Sequence, residues 1–269
     1  GLVLGSSGSF WISDEYAAYI YKFDKNGKMT AAIRTPDAFI PQRNGTDSFN
    51  AASPPIYDPT LETTPEDPDS GRANNQGLEA LTSSPDGKYL YTMLQSATMQ
   101  DGGSSSKKRR NTRLLVYKIQ GDKPKLKAEY AVQLPVLPSG KVASQSEMHY
   151  ISPTQFLVLA RDSNAGRGQE SSESIYRNAD IIDISNATNL VGTGADDIGG
   201  KIVNSEGKLK SGIEPAQYCP WLSFNDNEQL GKFGLHNGGE QDVSLLNEKW
   251  ESFAMLPVAE NDLIGSSST

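Results

Sequence analysis

The chain has 269 residues, 36% of them apolar, with 25 glycines and 15 prolines: enough for one large domain or two ordinary ones, in short strands and turns rather than long helices. Its formal net charge of −8 and a pI near 4.9 exclude nucleic acid and an anionic membrane surface as partners, and require a local basic or metal site for any anionic substrate. No run approaches the roughly 18 apolar residues of a membrane-spanning helix, and the lone Cys219 excludes an internal disulfide framework.

Taken in order, the chain opens at Gly1-Leu2-Val3-Leu4, already strand-like and without an initiator Met or a visible signal peptide. It therefore reads as a processed product or a fragment. Strands are expected at Tyr19 to Phe23 and Met29 to Ile33, joined by Asp24-Lys25-Asn26-Gly27. Residues 42–76, rich in Pro, Asp, Ser and Asn, read as a long loop. Gly77 to Leu81 begins a strand, Ser84-Pro85-Asp86-Gly87 a turn, and Lys88 to Leu94 a second strand. Residues 98–112 form another loop, followed by strands at Arg113 to Ile119 and Lys127 to Leu134. Strands from Gln145, at Phe156 to Ala160 and at Ala179 to Ile184 follow, with a polar loop over 163–178. Asn225 to Leu230 reads as a short helix. The basic run Lys107-Lys108-Arg109-Arg110 reads as solvated loop charge, a processing site or an anion contact.

An internal repeat organises these pieces. Three segments carry a Glu followed six residues later by a Pro: Glu79 and Pro85, Glu147 and Pro153, Glu251 and Pro257. In each the Glu opens an apolar strand and the Pro falls at a hairpin turn. The first sixteen residues fit the same frame, with the Glu-equivalent position just before Gly1. Repeated units of about four antiparallel strands predict an all-β fold, a β-propeller of six or seven blades when complete. The first strand of each blade lines the central channel, so Glu79, Glu147 and Glu251 should converge there.

Converging carboxylates repel unless compensated. A bound cation, a basic side chain or a shared proton would each serve. Hard cations such as Ca²⁺ take oxygen clusters of this kind, and Arg113 and Arg161 are candidate internal countercharges. Asp14-Glu15, Arg161-Asp162 and Asn261-Asp262 lie near strand ends and add further acids. The bland alternative is a set of channel-lining polar groups that bind water and hold blades together. His149, two residues after Glu147 and on the same face of a regular strand, is a candidate general acid. His236 falls in a loop, and the two histidines lack zinc spacing. No G-x-S-x-G is present, and Cys219 reads as a small buried apolar residue rather than a nucleophile. Hydrolysis by a cation-activated water, with a carboxylate as base and Arg113 or Arg161 on phosphate oxygens, suits these residues better than a covalent route. Asn44-Gly45-Thr46 and Asn186-Ala187-Thr188 are acceptor sequons.

The stretches FWISDEYAAYIYKFDKNGKMTAAIRTPDAFIP, NNQGLEALTSSPDGKYLYTMLQS, TRLLVYKI, KFGLHNGG and KWESFAMLP together resemble the phytase-like (esterase-like) domain family of secreted fungal and bacterial proteins. The likeness runs over most of the chain. It implies a β-propeller, an extracellular location, and phosphoester or ester hydrolysis. The family's acidic positions fall on Asp14, Glu15, Glu79, Glu147, Asp162, Glu251 and Asp262. Two departures stand out: the part that normally precedes the first motif is absent, and Asn261-Asp262 comes early after Pro257. The expectation is a secreted, monomeric hydrolase of a small (phospho)ester that uses a divalent cation, Ca²⁺. The competing expectation is a non-catalytic propeller that binds a ligand or partner around a structural cation. A lactonase-like activity is a weaker third reading, resting on fold analogy.

Overall fold

The computed structural model describes residues 1–52, 58, 60, 62–121 and 124–255. Three four-stranded antiparallel sheets dominate it. The first holds β1 (Leu2–Leu4), β2 (Phe10–Ser13), β3 (Tyr19–Phe23) and β4 (Met29–Arg34). After a two-stranded hairpin, β5 (Gln42–Arg43) and β6 (Thr46–Asp47), the second sheet holds β7 (Leu78–Ser83), β8 (Tyr89–Leu94), β9 (Asn111–Lys118) and β10 (Lys125–Gln133). The third holds β11 (Ser144–Tyr150), β12 (Gln155–Arg161), β13 (Arg177–Asp183) and β14 (Gln217–Ser223). In every sheet the strands pair in chain order, as a meander does. Among the described residues the one α-helix is α1 (Asn227–Gly231), capped by Asp226, whose carboxylate accepts from the Glu228 and Gln229 amides.

The turns have the chemistry their residues dictate. Asp24 accepts from the amides of Asn26 and Lys28. In the next unit Ser84 donates to Asp86 at 2.6 Å, and Gly87 donates its amide back to the Ser84 carbonyl at 2.9 Å. Pro85 and Pro153 sit in their hairpin turns, as the repeat requires; Pro257 lies outside the described residues. The fourth repeat differs from expectation, because residues 249–255 form no strand and Glu251 stands in irregular chain.

Sheets stack face to face. Trp11 and Ile20 from the first, with Phe39 from the turn after it, meet Leu78, Leu90, Leu115 and Tyr117 from the second. The other face of the second sheet, with Met93, Leu114 and Val132, meets Met148, Phe156, Val158 and Ile182 of the third. Both faces of the middle sheet are thus buried, so β8 and β9 are near-continuous apolar runs rather than alternating ones. Each fully buried Leu, Met or Phe contributes about 1.5–3 kcal/mol. The stacking places the first strands side by side, with β7 against β11 on one side and β1 and β2 on the other.

On the outer sheets one face stays open. Trp221, Leu222, Leu4 and Met29 are exposed. Cys219, expected to be buried, is exposed on β14, because no further layer covers that strand among the described residues. Residues 98–112 contain a 3-10 turn at Met99–Asp101. Asn44 and Asn186 are both exposed, in the β5–β6 turn and after β13.

Candidate functional site

The site forms where the first strands meet. At the end of β2, Asp14 folds the chain over: its carboxylate accepts from the amides of Tyr16 (2.8 Å) and Ala17 (3.1 Å) and from the Tyr21 hydroxyl (3.2 Å). Asp14 is therefore committed to the turn. Glu15 follows it across Gly77, where a Cβ would overlap the Glu15 carbonyl. Only glycine permits that approach, and it sets Glu15 beside Glu79.

Glu79 is the extra residue of a β-bulge in β7, between the pairs Leu78–Leu94 and Ala80–Met93. A matching register shift lies immediately before Glu147 in β11. Bulges re-aim a side chain out of the pleat, which answers why a buried apolar strand carries a carboxylate. Gln95 donates to Glu79 Oε1 at 2.6 Å. Burial, then the charges of Glu15 and Glu251, push the Glu79 carboxyl up to about 8. Glu15 is raised too, by burial and then by Glu251, while its hydrogen bond with Glu79 pulls it back down. Glu79 is thus the carboxyl raised further, as expected of two that cannot both ionise easily in one place.

Lys249 offsets charge at Glu15, and the side-chain cation that offsets Glu79 is Arg161. It is buried and donates to Glu251 Oε1 (2.7 Å), Ser146 Oγ (3.1 Å) and the Trp250 carbonyl (3.0 Å). Glu251, 46% exposed, arrives on irregular chain yet joins Glu79 and Glu15 electrostatically. Glu147 stands one strand along. Burial raises its pKa, and it accepts from the Met148 amide (2.9 Å) and the Ser252 hydroxyl (3.3 Å). Glu147, His149 and Ser252 border a cleft of about 350 Å³, where the His149 ring lies 6.3 Å from that of Phe253.

Other predicted site residues lie elsewhere. Arg113 is enclosed with Asp101 and Glu129 inside the second sheet and its loops, and is no countercharge to the glutamates. Asp162 accepts from Ser174 Oγ and the Ile175 amide, both at 2.7 Å, and shapes the loop after β12. Asp262 lies outside the described residues. His236 bonds Asp242 and the Gly238 carbonyl within its own loop. Gln95 and Ser252 join the site without having been singled out; Gln95 stands in the same YLYTMLQS motif as β8, and only pairing with β7 reveals its target.

The donor chemistry, hard carboxylate oxygens, suits Ca²⁺, but the arrangement does not. Among the described residues no three Asp, Glu, His or Cys side chains are grouped to hold a metal ion. Arg161 occupies Glu251, and Glu15 and Glu79 are turned toward each other.

An all-β protein with half-buried, paired carboxyls at its sheet junction is thus defined, and sequence comparison supplies its class. Residues 1–214 match the phytase-like family, described as esterase-like activity of phytase, and the chain belongs to that family. It is 52% identical over 268 residues to a protein of Arthroderma benhamiae described as an uncharacterized secreted protein. That match covers 96% of this chain and 52% of the relative, so the chain spans about half of the relative's length. Among solved structures the chain is similar to U3-55K at 9% identity, covering 60% of this chain and 45% of that one, with a TM-score of 0.29, too low to bear on fold or function. No helix among the described residues is long and apolar enough to cross a membrane.

Proposed function

We propose that the chain is part of a secreted β-propeller that hydrolyses a small-molecule ester or phosphoester with the Glu15–Glu79 pair as its acid and base. One arrangement carries the reading: Glu15 comes against Glu79 across Gly77, Gln95 bonds Glu79, and the buried Arg161–Glu251 pair stands beside them, so that burial and neighbouring carboxylates push the Glu79 carboxyl up to about 8. In this mechanism the Glu15 carboxylate takes a proton from water as the water oxygen attacks the carbonyl carbon or phosphorus. Glu79 gives its proton to the departing oxygen. The pair ends with the proton on Glu15, and transfer along their hydrogen bond restores the starting state. Gln95 orients Glu79, and Arg161 supplies positive charge where oxyanion charge develops. The propeller reading is supported by three consecutive meanders with adjacent first strands, and by apolar side chains exposed on the outer sheets. Secretion is supported by the relative's description.

The test is a pH–rate profile on a panel of aryl esters and aryl phosphates. The rate should fall above about pH 8, as Glu79 ionises, and Glu79→Gln should lower kcat by about 10²-fold or more with the fold retained. A chelator arm separates the cation-dependent alternative: a rate abolished by chelation would replace the shared-proton mechanism with a cation site. A panel without any turnover would favour the non-catalytic reading.

A further inference from the structure

A second concave site lies at the hairpin-turn end of the second and third sheets; it shares Pro85 and Tyr150 with the cleft beside Glu147, and neither Glu15 nor Glu79 lines it. It is a cleft of about 640 Å³, inside the roughly 300–1,000 Å³ range of small-molecule sites. Tyr89, Tyr91, Tyr130 and Tyr150 all line it. Tyr91 is the hinge of the cluster, with its ring centroid 6.4 Å from Tyr89 and 5.7 Å from Tyr150. The reason is register: Tyr89 and Tyr91 alternate onto the face of β8 that meets the third sheet.

The hydroxyls distinguish this cluster from the other tyrosines. Tyr21 donates to Asp14, and Tyr176 and Tyr218 both donate to Asp180 at 2.7 Å. Around the cleft none of the four phenols bonds another protein group among the described residues, and each is free to donate and accept there. Burial raises Tyr91 to about 12 and raises Tyr130, so both stay protonated donors. Lys127 stands at the rim, exposed, and forms no ion pair among the described residues. The carboxylate at the rim, Asp86, is already held by Lys88 at 3.0 Å and by Ser84. The cleft therefore offers ring faces for stacking, several hydroxyl donor–acceptors and one uncompensated positive charge.

We propose that this cleft binds a short acidic oligosaccharide. The apolar faces of its sugar rings would stack on the tyrosines, its hydroxyls would bond the phenols, and a ring carboxylate would meet Lys127. A flat aromatic acid would satisfy the lysine but leave the phenols without partners, and a neutral sugar would leave the lysine unused. The site is separate from the acid pair, so its occupancy does not depend on hydrolysis.

Calorimetric titration of the intact chain with trigalacturonic acid, maltotriose and benzoate tests the proposal. Trigalacturonate should bind in the sub-millimolar to millimolar range, about tenfold or more tighter than maltotriose or benzoate. Tyr89→Phe and Tyr130→Phe, which remove only an oxygen, should each weaken trigalacturonate binding about fivefold at unchanged melting temperature. Lys127→Met should abolish the preference over maltotriose while leaving maltotriose binding unchanged. The proposal is overturned if trigalacturonate gives no saturable heat up to about ten millimolar, if benzoate binds as tightly, or if the three variants bind like the parent chain.

Discussion

Two arginines in this molecule sit among acids, and their settings differ. Arg113 is fully enclosed, paired with Asp101 at 2.5 Å and Glu129 at 2.9 Å, and also bonded to the Ala195 and Gly200 carbonyls. It staples the loops 98–112 and 190–202 onto the second sheet, with the Ile202 amide and Thr98 hydroxyl completing Asp101. Arg161 is buried too, but its partner Glu251 is half exposed, and two further carboxyls stand near it whose pKa values are raised by burial and mutual charge. The first cluster is closed; every group but Glu129 Oε2 is satisfied. The second keeps an exchangeable proton within reach of solvent. The same residue types make a staple in one place and a proton-handling site in the other, because burial and stoichiometry differ.

The comparison is most severely tested at Arg113. Arg113→Met strands two carboxylates in an apolar setting and should lower unfolding stability by about 3–5 kcal/mol, read from urea denaturation; a loss below about 1 kcal/mol would dissolve the distinction between staple and site.

A smaller effect, with opposite sign at alkaline pH, is expected at Glu79. Its folded pKa, about 8, stands above its ordinary value of 4.5. The stability this group contributes is fully present below about 4.5 and is lost as pH rises through about 8. Glu79→Gln should therefore flatten the fall in melting temperature across that window. Near pH 9 the variant should be more stable than the parent by a few kcal/mol at most, since the pair titrates jointly. Parallel curves for the two proteins would show that Glu79 is ionised throughout. Adding millimolar Ca²⁺ at pH 8 sharpens the same point: an unchanged melting temperature accords with the shared proton, whereas a rise with proton release shows a cation displacing it.

Arg161→Met should cost about 1–2 kcal/mol, less than Arg113→Met, because water can still reach Glu251. If the proposed hydrolysis holds, it should slow phosphoester turnover more than turnover of a neutral ester. The smallest effect belongs to the open face of β14. Trp221→Ser should alter the stability of this chain by no more than about 0.5 kcal/mol, as Trp221 is 61% exposed.

Much of this was legible in the residues. Turn signals such as Asp24–Gly27 and Ser84–Gly87 and the apolar runs between them located most strands of the three sheets within a residue or two, but missed β14 (Gln217–Ser223) and the β5–β6 hairpin inside the expected loop over 42–76. Turn chemistry and side-chain alternation act over a few residues and need no partner. The Glu–Pro repeat expected Glu79, Glu147 and Glu251 to converge; Glu251 acts on the Glu79 carboxyl, while Glu147 stands one strand along. The repeat erred on local form at Glu251, where residues 249–255 run without a strand, and Cys219 was misplaced because burial depends on which layer covers β14.

Sequence alone thus determined the all-β class, the four-stranded unit and the acids that repeat with it, since each follows from local periodicity and turn residues. Tertiary structure decided which acid meets which base. Asp14 and Asp162 were spent on turns, Arg113 was drawn to Asp101 and Glu129, and Glu15 reached Glu79 only across Gly77. Charge pairing depends on distances of a few ångströms between segments far apart in the chain, and only the stacking of sheets sets those.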